Sequence, residues 1–382
     1  MRVLLAFDKF KDSLTARQAC DLAARAMRGR HPDWKIDSCP LADGGEGFSE
    51  ILTAAAGGQS VPCQVTGPRG GLVDAKIGLV PAKKIPAAAR GFFPLKDPDA
   101  QVAVADLASA SGLALLAPGL RDPWQTTTHG TGRLLRAAAE LRATAIVLGV
   151  GGSATHDLGL GALNALGLEF RGAGGEKIRP PVPAHWPNIT AIEGEIFAAI
   201  PPIFIACDVT NPLLGPRGAA AVYAPQKGLR GEDLPRLEAG TARMARLLCA
   251  HCGRPESLMD TPGAGAAGGI AFGLLCAAGA KLLPGFDLVA AWLDLDARLA
   301  AADLVLTGEG RFDASSLSGK GPGAVVARAR ALGKPAHVFA GEIAAASSPG
   351  LGLHAITPPG TSLAQALREA PANLVAAVQR EL

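Results

Sequence analysis

Five loops gather glycine together with acids or amides, and most follow directly on an apolar run. They cover residues 42–47 (Ala-Asp-Gly-Gly-Glu-Gly), 149–155, 207–212, 262–269 and 307–313. In open α/β sheets, ligands sit beyond the carboxyl ends of the strands, so acids placed there are candidates for chemistry. Asp43, Glu46, Asp157, Asp208, Glu309 and Asp313 all occupy such positions, and Lys11, Lys227 and Lys320 lie in comparable ones. Carboxylates that can hold a divalent cation or position a hydroxyl, beside cations that offset developing charge, are what phosphoryl transfer requires. Each residue alone reads more readily as a surface charge or a helix cap, and Asp157 could simply favour a helix N-terminus. The repetition at several strand ends raises the functional reading.

The loop at 149–155 lies between an apolar strand and a helical pattern. Its backbone amides could converge on an anion, with Ser153 and Thr155 adding hydroxyl donors. A tight turn that needs glycine only for geometry is the alternative, and phosphate binding is favoured over it. Gly263 to Gly268 matches the dinucleotide fingerprint, but residues 257–262 do not read as a strand and no βαβ unit surrounds it. No P-loop is present, because Gly319-Lys320 is followed by Gly321. His129 and His156 could touch a ligand, yet neither belongs to a triad, and there is no serine-hydrolase elbow.

The balance of the chain excludes other classes. Charged residues are 19% of the 382 and hydrophobic ones 48%, as in a folded globular protein. A net charge of +3 without basic blocks argues against nucleic acid as a partner. The apolar opening at Val3–Phe7 is too short for a signal-peptide core, and no stretch reaches membrane-spanning length, so a cytoplasmic location is expected. Seven cysteines include one Cys-x-x-Cys pair, Cys249 and Cys252. A structural zinc site would want a second pair, so buried thiols are the reading there.

The elements that must position these loops alternate. A strand at 3–7, a helix at 14–27 behind a Ser13 cap, a strand at 36–41 and a helix at 46–56 open the chain. Strands at 61–65 and 73–80 flank Gly67-Pro-Arg-Gly-Gly71 as a hairpin. Further strands are expected at 102–107, 145–150 and 203–208, with helices near 131–142 and 157–166. From residue 288 the pattern is helix, strand (304–307), helix (323–331), strand (337–340), a strand near 354–357 and a helix from 363. The two ends together supply five strands, enough for one doubly wound parallel sheet. The expected fold is therefore α/β with two domains. Residues 1–60 plus 286–382 form one, and residues 61–285 form a second α/β domain of mixed sheet, inserted into the first.

Several segments are similar to those of the type-1 glycerate kinase family. Phe7-Asp-Lys-Phe-Lys-Asp-Ser-Leu14 resembles its Pro-Asp-Ser-Phe-Lys-Gly-Ser-Leu opening, and residues 42–47 match its Ala-Asp-Gly-Gly-Glu-Gly. Residues 149–157 resemble its Gly-x-Gly-Gly-Ser-Ala-Thr-Asn-Asp. Residues 207–213, Pro225-Gln-Lys-Gly228, 262–269 and 307–313 follow in the family's order. This chain departs from the pattern at Phe7, Lys9, Asp12, His156, Leu158 and Leu160. The resemblance implies ATP-dependent phosphorylation of D-glycerate, with the 2-hydroxyl favoured over the 3-hydroxyl, and a divalent cation, Mg2+. It also implies a flavodoxin-like domain built from both chain ends.

In a reaction of that kind Asp208, Asp43, Glu309 and Lys11 are the catalytic candidates. Gly151, Gly152, Ser153, Asp157, Asn211, Lys227, Asp313 and Lys320 are candidates for binding substrate or phosphate. Asp43, Glu46 and Asp208 are candidates for metal, and the ligands are expected between the domains. The partners expected are ATP and D-glycerate, with neither nucleic acid nor membrane, and a homo-oligomer is allowed. The alternatives are a nicotinamide-dependent hydroxy-acid dehydrogenase, resting on Gly263 to Gly268, and a non-catalytic sugar-acid-binding protein.

Overall fold

A computed structural model describes all residues except 96, 314–315, 317–320 and 346–349. The chain opens β1 (Arg2–Phe7), α1 (Ala16–Arg30), β2 (Lys35–Ser38), α2 (Phe48–Ala55), then the hairpin β3 (Gln59–Thr66) and β4 (Leu72–Pro81). Next come α3 (Ala87–Arg90), β5 (Gln101–Asp106), α4 (Ala108–Ser111), α5 (His129–Glu140), β6 (Ala145–Gly149) and α6 (Leu160–Ala165). The small pair β7 (Glu169–Arg171) and β8 (Ala191–Glu193) precedes β9 (Ile203–Ala206), α7 (Ala219–Tyr223), α8 (Leu234–Cys252) and α9 (Ala266–Ala278). The chain closes with β10 (Lys281–Leu283), α10 (Gly285–Trp292), α11 (Leu295–Ala301), β11 (Leu304–Phe312), α12 (Gly321–Ala331), β12 (Ala336–Ile343), β13 (Leu351–Ala355) and α13 (Leu363–Glu381).

These elements form two compact units, Met1–Asp43 with Val289–Leu382, and Gly44–Leu288. The strand–helix alternation predicts a first break after residue 60. The break falls after Asp43 because α2 packs on β4 and β5, giving its apolar face to the second unit's sheet.

The first unit is a five-stranded sheet in the order β13-β12-β11-β1-β2, and every neighbouring pair runs parallel. This is the doubly wound flavodoxin-like arrangement, whose order reverses between β1 and β11. β1 is buried from Val3 to Phe7, so its run is apolar rather than alternating, as a strand covered on both faces must be. Val3, Leu5 and Phe7 pack with α1 and α13 in one cluster, whereas α11 and α12 also lie against β1. The cap of α1 is Thr15, not Ser13. Thr15 and Gln18 form a reciprocal capping box, and the Ser13 hydroxyl donates instead to the Leu367 carbonyl. β11 runs five residues past the expected end, because the Gly-Glu-Gly segment keeps its pairing with β12 as far as Phe312↔Ile343.

The second unit is a six-stranded mixed sheet in the order β10-β9-β6-β5-β4-β3. β5, β6, β9 and β10 are parallel, and the hairpin adds two antiparallel strands at one edge. Its core runs through Leu134, Ile146, Leu148, Leu163, Trp186, Ile205, Leu248 and Phe272, all essentially sealed from solvent. Among the described residues no helix is long and apolar enough to cross a membrane.

Candidate active site

In the first unit the acids converge where the sheet order reverses. Asp8 directly follows β1, and its amide donates to the Gly308 carbonyl of β11 at 2.9 Å. The Asp8 carboxylate is 7% exposed and accepts the Lys9 amide at 2.7 Å. Lys9 Nζ pairs with Asp43 Oδ1 at 2.7 Å, so the acid after β2 is tied to the end of β1. Burial, and then the charge of Asp43, push the Asp8 carboxyl up to about 8, against the opposing pull of Lys9; Glu309 adds a smaller push. Glu309 is raised to about 6, first by burial, with Asp313 and Asp43 adding to it. Its Oε1 is buried and has no hydrogen-bond partner among the described residues. Asp8, Asp43 and Glu309 thus share one electrostatic neighbourhood with the Lys9 ammonium.

Of the other sequence candidates of this unit, Lys11 and Asp313 are described. The backbone of Lys11 approaches Gly310 on β11, and its side chain is exposed. Asp313 is paired with Arg311 at 3.2 Å. Lys320 lies outside the described residues. Asp8 and Lys9 were not among the sequence candidates. The signal that marks Asp8 is the one that marked Glu309, an acid at the carboxyl end of an apolar strand.

The second unit carries the glycine loop that follows β6. Gly151 donates to the Gly44 carbonyl, Ala154 to Ser111, and Gly152 and Ser153 donate their amides to no described residue. Gly152 has φ +70°, and a Cβ there would stand 2.3 Å from Glu46 Oε1. That φ favours glycine, and any side chain there would also have to displace the Glu46 carboxylate. The loop does not run straight into a helix, since α6 starts five residues after Thr155 and is six residues long.

Behind the loop lies a buried polar group. Lys227 is 1% exposed and donates to Ser153 Oγ at 2.9 Å and to the Thr155 carbonyl at 2.6 Å. Burial pulls its ammonium down to about 7. Asp157, 1% exposed, accepts from the Thr128 amide at 2.7 Å and hydroxyl at 2.9 Å, and from the amides of Gly159 and Gly161 at 3.1 and 3.2 Å. Four donors on one sealed carboxylate describe a strut for the start of α6. Burial also holds His156 down, to about 3, so its ring is neutral, with Nε2 3.0 Å from Thr241 Oγ1.

Asp208, expected to position the attack, accepts the Phe286 amide with both oxygens, at 3.1 and 2.9 Å, at the start of α10. Asn211 is likewise engaged, donating to the Arg217 carbonyl and accepting from the Tyr223 hydroxyl, both at 2.7 Å. Asp106, not among the sequence candidates, is buried at the end of β5 and accepts from the amides of Ser49 and Ser109. The Gly263–Gly268 segment follows a 3-10 turn rather than a strand and enters α9 through left-handed Ala267, Gly268 and Gly269. It lacks the strand that a dinucleotide fingerprint needs.

A flavodoxin-like unit with acids at its reversal point, joined to a mixed-sheet unit with a glycine loop, defines a two-unit α/β enzyme. Residues 3–381 match the model of the glycerate kinase family. The chain is 36% identical over 348 residues to glycerate kinase of Haemophilus influenzae, covering 89% of this chain and 86% of that one. It is 35% identical over 351 residues to glycerate 2-kinase of Escherichia coli, covering 90% and 86%. A crystal structure of a protein provisionally called glycerate kinase 2, from Salmonella typhimurium LT2, matches with a TM-score of 0.75 and 36% identity, over 100% of this chain and 97% of that one. The chain belongs to the glycerate kinase family and is a kinase.

Proposed function

We propose that this kinase transfers the γ-phosphoryl group of ATP to the 2-hydroxyl of D-glycerate, with Mg2+ as cofactor, in the cytoplasm. The observation that carries the reading is the cluster of Asp8, Asp43 and Glu309 around Lys9 at the reversal point of a parallel sheet. Such a crevice is where doubly wound sheets take their ligands. The choice of the 2-hydroxyl follows the Escherichia coli relative, which is called a glycerate 2-kinase.

The residues fit Mg2+. The cluster offers hard carboxylate oxygens, and the buried Glu309 Oε1 has no described partner. Among the described residues no group of three or more His, Cys, Asp and Glu side chains is arranged to hold a metal. A cation that keeps several waters and touches one or two carboxylates does not need one. Asp43 and Glu309 would hold it, and bound there it would neutralise charge on the transferring phosphate. Asp8 is proposed to hold and orient the glycerate hydroxyl. Gly152 and Ser153 are proposed to present their amides to an anionic group of a ligand.

ADP release should appear only when ATP, Mg2+ and D-glycerate are all present. Equal ADP release without glycerate, or nicotinamide reduction with glycerate, would overturn the reading.

A further inference from the structure

Lys227 is a buried lysine that the proposed chemistry leaves unused. It ends the short 3-10 turn Pro225–Lys227, where its amide donates to the Ala224 carbonyl at 3.0 Å. Gly228 follows at φ +100°, and a Cβ there would stand 2.4 Å from the Arg121 carbonyl, so the turn is tight and specific to glycine. The lysine side chain runs inward to the Ser153 hydroxyl and the Thr155 carbonyl. Ser153 Oγ also accepts the Thr155 amide at 3.3 Å and donates to the Ala267 carbonyl at 3.2 Å. One hydroxyl thus joins three segments: the glycine loop after β6, the turn at 225–228 and the left-handed entry to α9.

We infer that Lys227 is a positioning residue for the oxyanion that the glycine loop is proposed to bind, a role that rests on that reading of the loop. Acting through Ser153, it fixes the loop and supplies positive charge behind the Gly152 and Ser153 amides. The group it serves is a phosphate or a carboxylate. A strut that only fills the core is the bland alternative, and two features argue against it.

First, a strut has no need of a charge. An ammonium sealed from water is costly unless carboxylates or full hydrogen bonding compensate it. Among the described residues no carboxylate makes an ion pair with Lys227, and it has two acceptors for three N–H groups. Asp157 acts on it through space only, since its oxygens already accept from Thr128, Gly159 and Gly161. Methionine would fill the same space without that penalty.

Second, the loop already faces a carboxylate. Glu46 lies so near Gly152 that a Cβ there would meet its Oε1 at 2.3 Å, and its charge reaches the buried Asp106 as well. An anion arriving at the Gly152 and Ser153 amides meets that negative charge, and the Lys227 ammonium behind Ser153 opposes it. Charges a few ångströms apart in a water-poor interior interact far more strongly than in bulk water. A bound oxyanion would in turn favour the charged form of Lys227, which burial holds down to about 7. Binding above that pH should therefore draw a proton onto Nζ. The titratable groups coupled to it are the sealed Asp157 carboxylate and the His156 ring, which burial keeps neutral.

The full-length protein and its Lys227→Met, Ser153→Ala and double variants are titrated by calorimetry at pH 8, separately with ATP in the presence of Mg2+ and with D-glycerate. Each single variant should weaken one ligand by at least about tenfold, as loss of a hydrogen bond to a charged group requires, and leave the other essentially unchanged. Loss confined to ATP assigns the loop to a phosphate, and loss confined to glycerate assigns it to the carboxylate. The double variant should bind no more weakly than Lys227→Met alone, because both changes break one link. Heats in two buffers of different ionisation enthalpy should show proton uptake by the parent that is smaller in Lys227→Met. If Lys227→Met does not fold, Ser153→Ala carries the test through the same selective loss. Parent-like affinity in folded Ser153→Ala, equal loss for both ligands, additive losses, equal proton uptake, or a parent that binds neither ligand would overturn the inference. Selective loss in a protein that does not phosphorylate glycerate would uphold it and count against the proposed reaction alone.

Discussion

Asp8 and Asp208 separate two ways an acid can serve a strand end. Asp8 is buried beside two other carboxylates, whereas Asp208 accepts a helix-start amide with both oxygens. Asparagine keeps an oxygen that can accept that amide, so Asp208→Asn should leave turnover within a few-fold of the parent. Positioned acid–base groups contribute about 10²–10⁴-fold to rate. Asp8→Asn should therefore lower kcat at least about 100-fold, with a smaller change in KM, as steady-state ADP release would measure. Lys227 makes a prediction about stability. Its folded-state pKa is depressed to about 7, so the unfolded chain binds more protons than the folded one above that pH, until the free lysine value of about 10.4. Its contribution is fully present above the free value and lost as pH falls toward 7. The difference in unfolding free energy between the parent and Lys227→Met should rise as pH goes from 7 to 10; a flat difference would contradict the buried, depressed ammonium. At this scale Asp43 and Glu309 were legible, because an acid beside glycine after an apolar run is a pattern in one dimension. The sealing of Asp157 and Lys227 was not, because both sit in motifs that read as open glycine loops, and their burial depends on packing from distant segments.

The elements were more legible than their ends. β1 and β6 show continuous apolar runs, and β3 and β4 announce their hairpin by the glycines between them. The end of β11 was hidden because Gly-Glu-Gly looks like a loop until β12 is seen to pair along it. The cap of α1 was misplaced because Ser13 and Thr15 are both capping types, and only Thr15 has glutamine three residues on. One prediction belongs to α13 and the strands it covers. His337 Nδ1 and His354 Nε2 are 2.9 Å apart across β12 and β13, and His354 Nδ1 is 3.3 Å from Glu381 near the end of α13. Burial lowers both imidazoles, and this outweighs the opposing charge of Glu381. Groups with depressed folded-state values stabilise the fold above the free histidine value of about 6.5, and that stability is lost as pH falls below it. Urea unfolding from pH 8 to 5 should show a loss of stability below about 6.5 that is reduced in the variant carrying His337→Phe and His354→Phe. An unchanged acid limb would show that the pair carries none of it.

For the whole molecule, the return of strand–helix alternation after residue 288 exposed a domain built from both chain ends, because five strands are needed to complete one such sheet. The position of the first break was not legible, since α2 has an apolar face that either sheet could bury. The acids at the strand ends of the first unit suit the proposed transfer of a phosphoryl group to a small hydroxy acid. That is the central claim, and product analysis tests it most directly. The protein is incubated with ATP, Mg2+ and D-glycerate and followed by phosphorus NMR. The account predicts that ATP falls as ADP and 2-phosphoglycerate rise in equal amounts; inorganic phosphate in place of a phosphoglycerate, or no loss of ATP beyond the glycerate-free control, would contradict it.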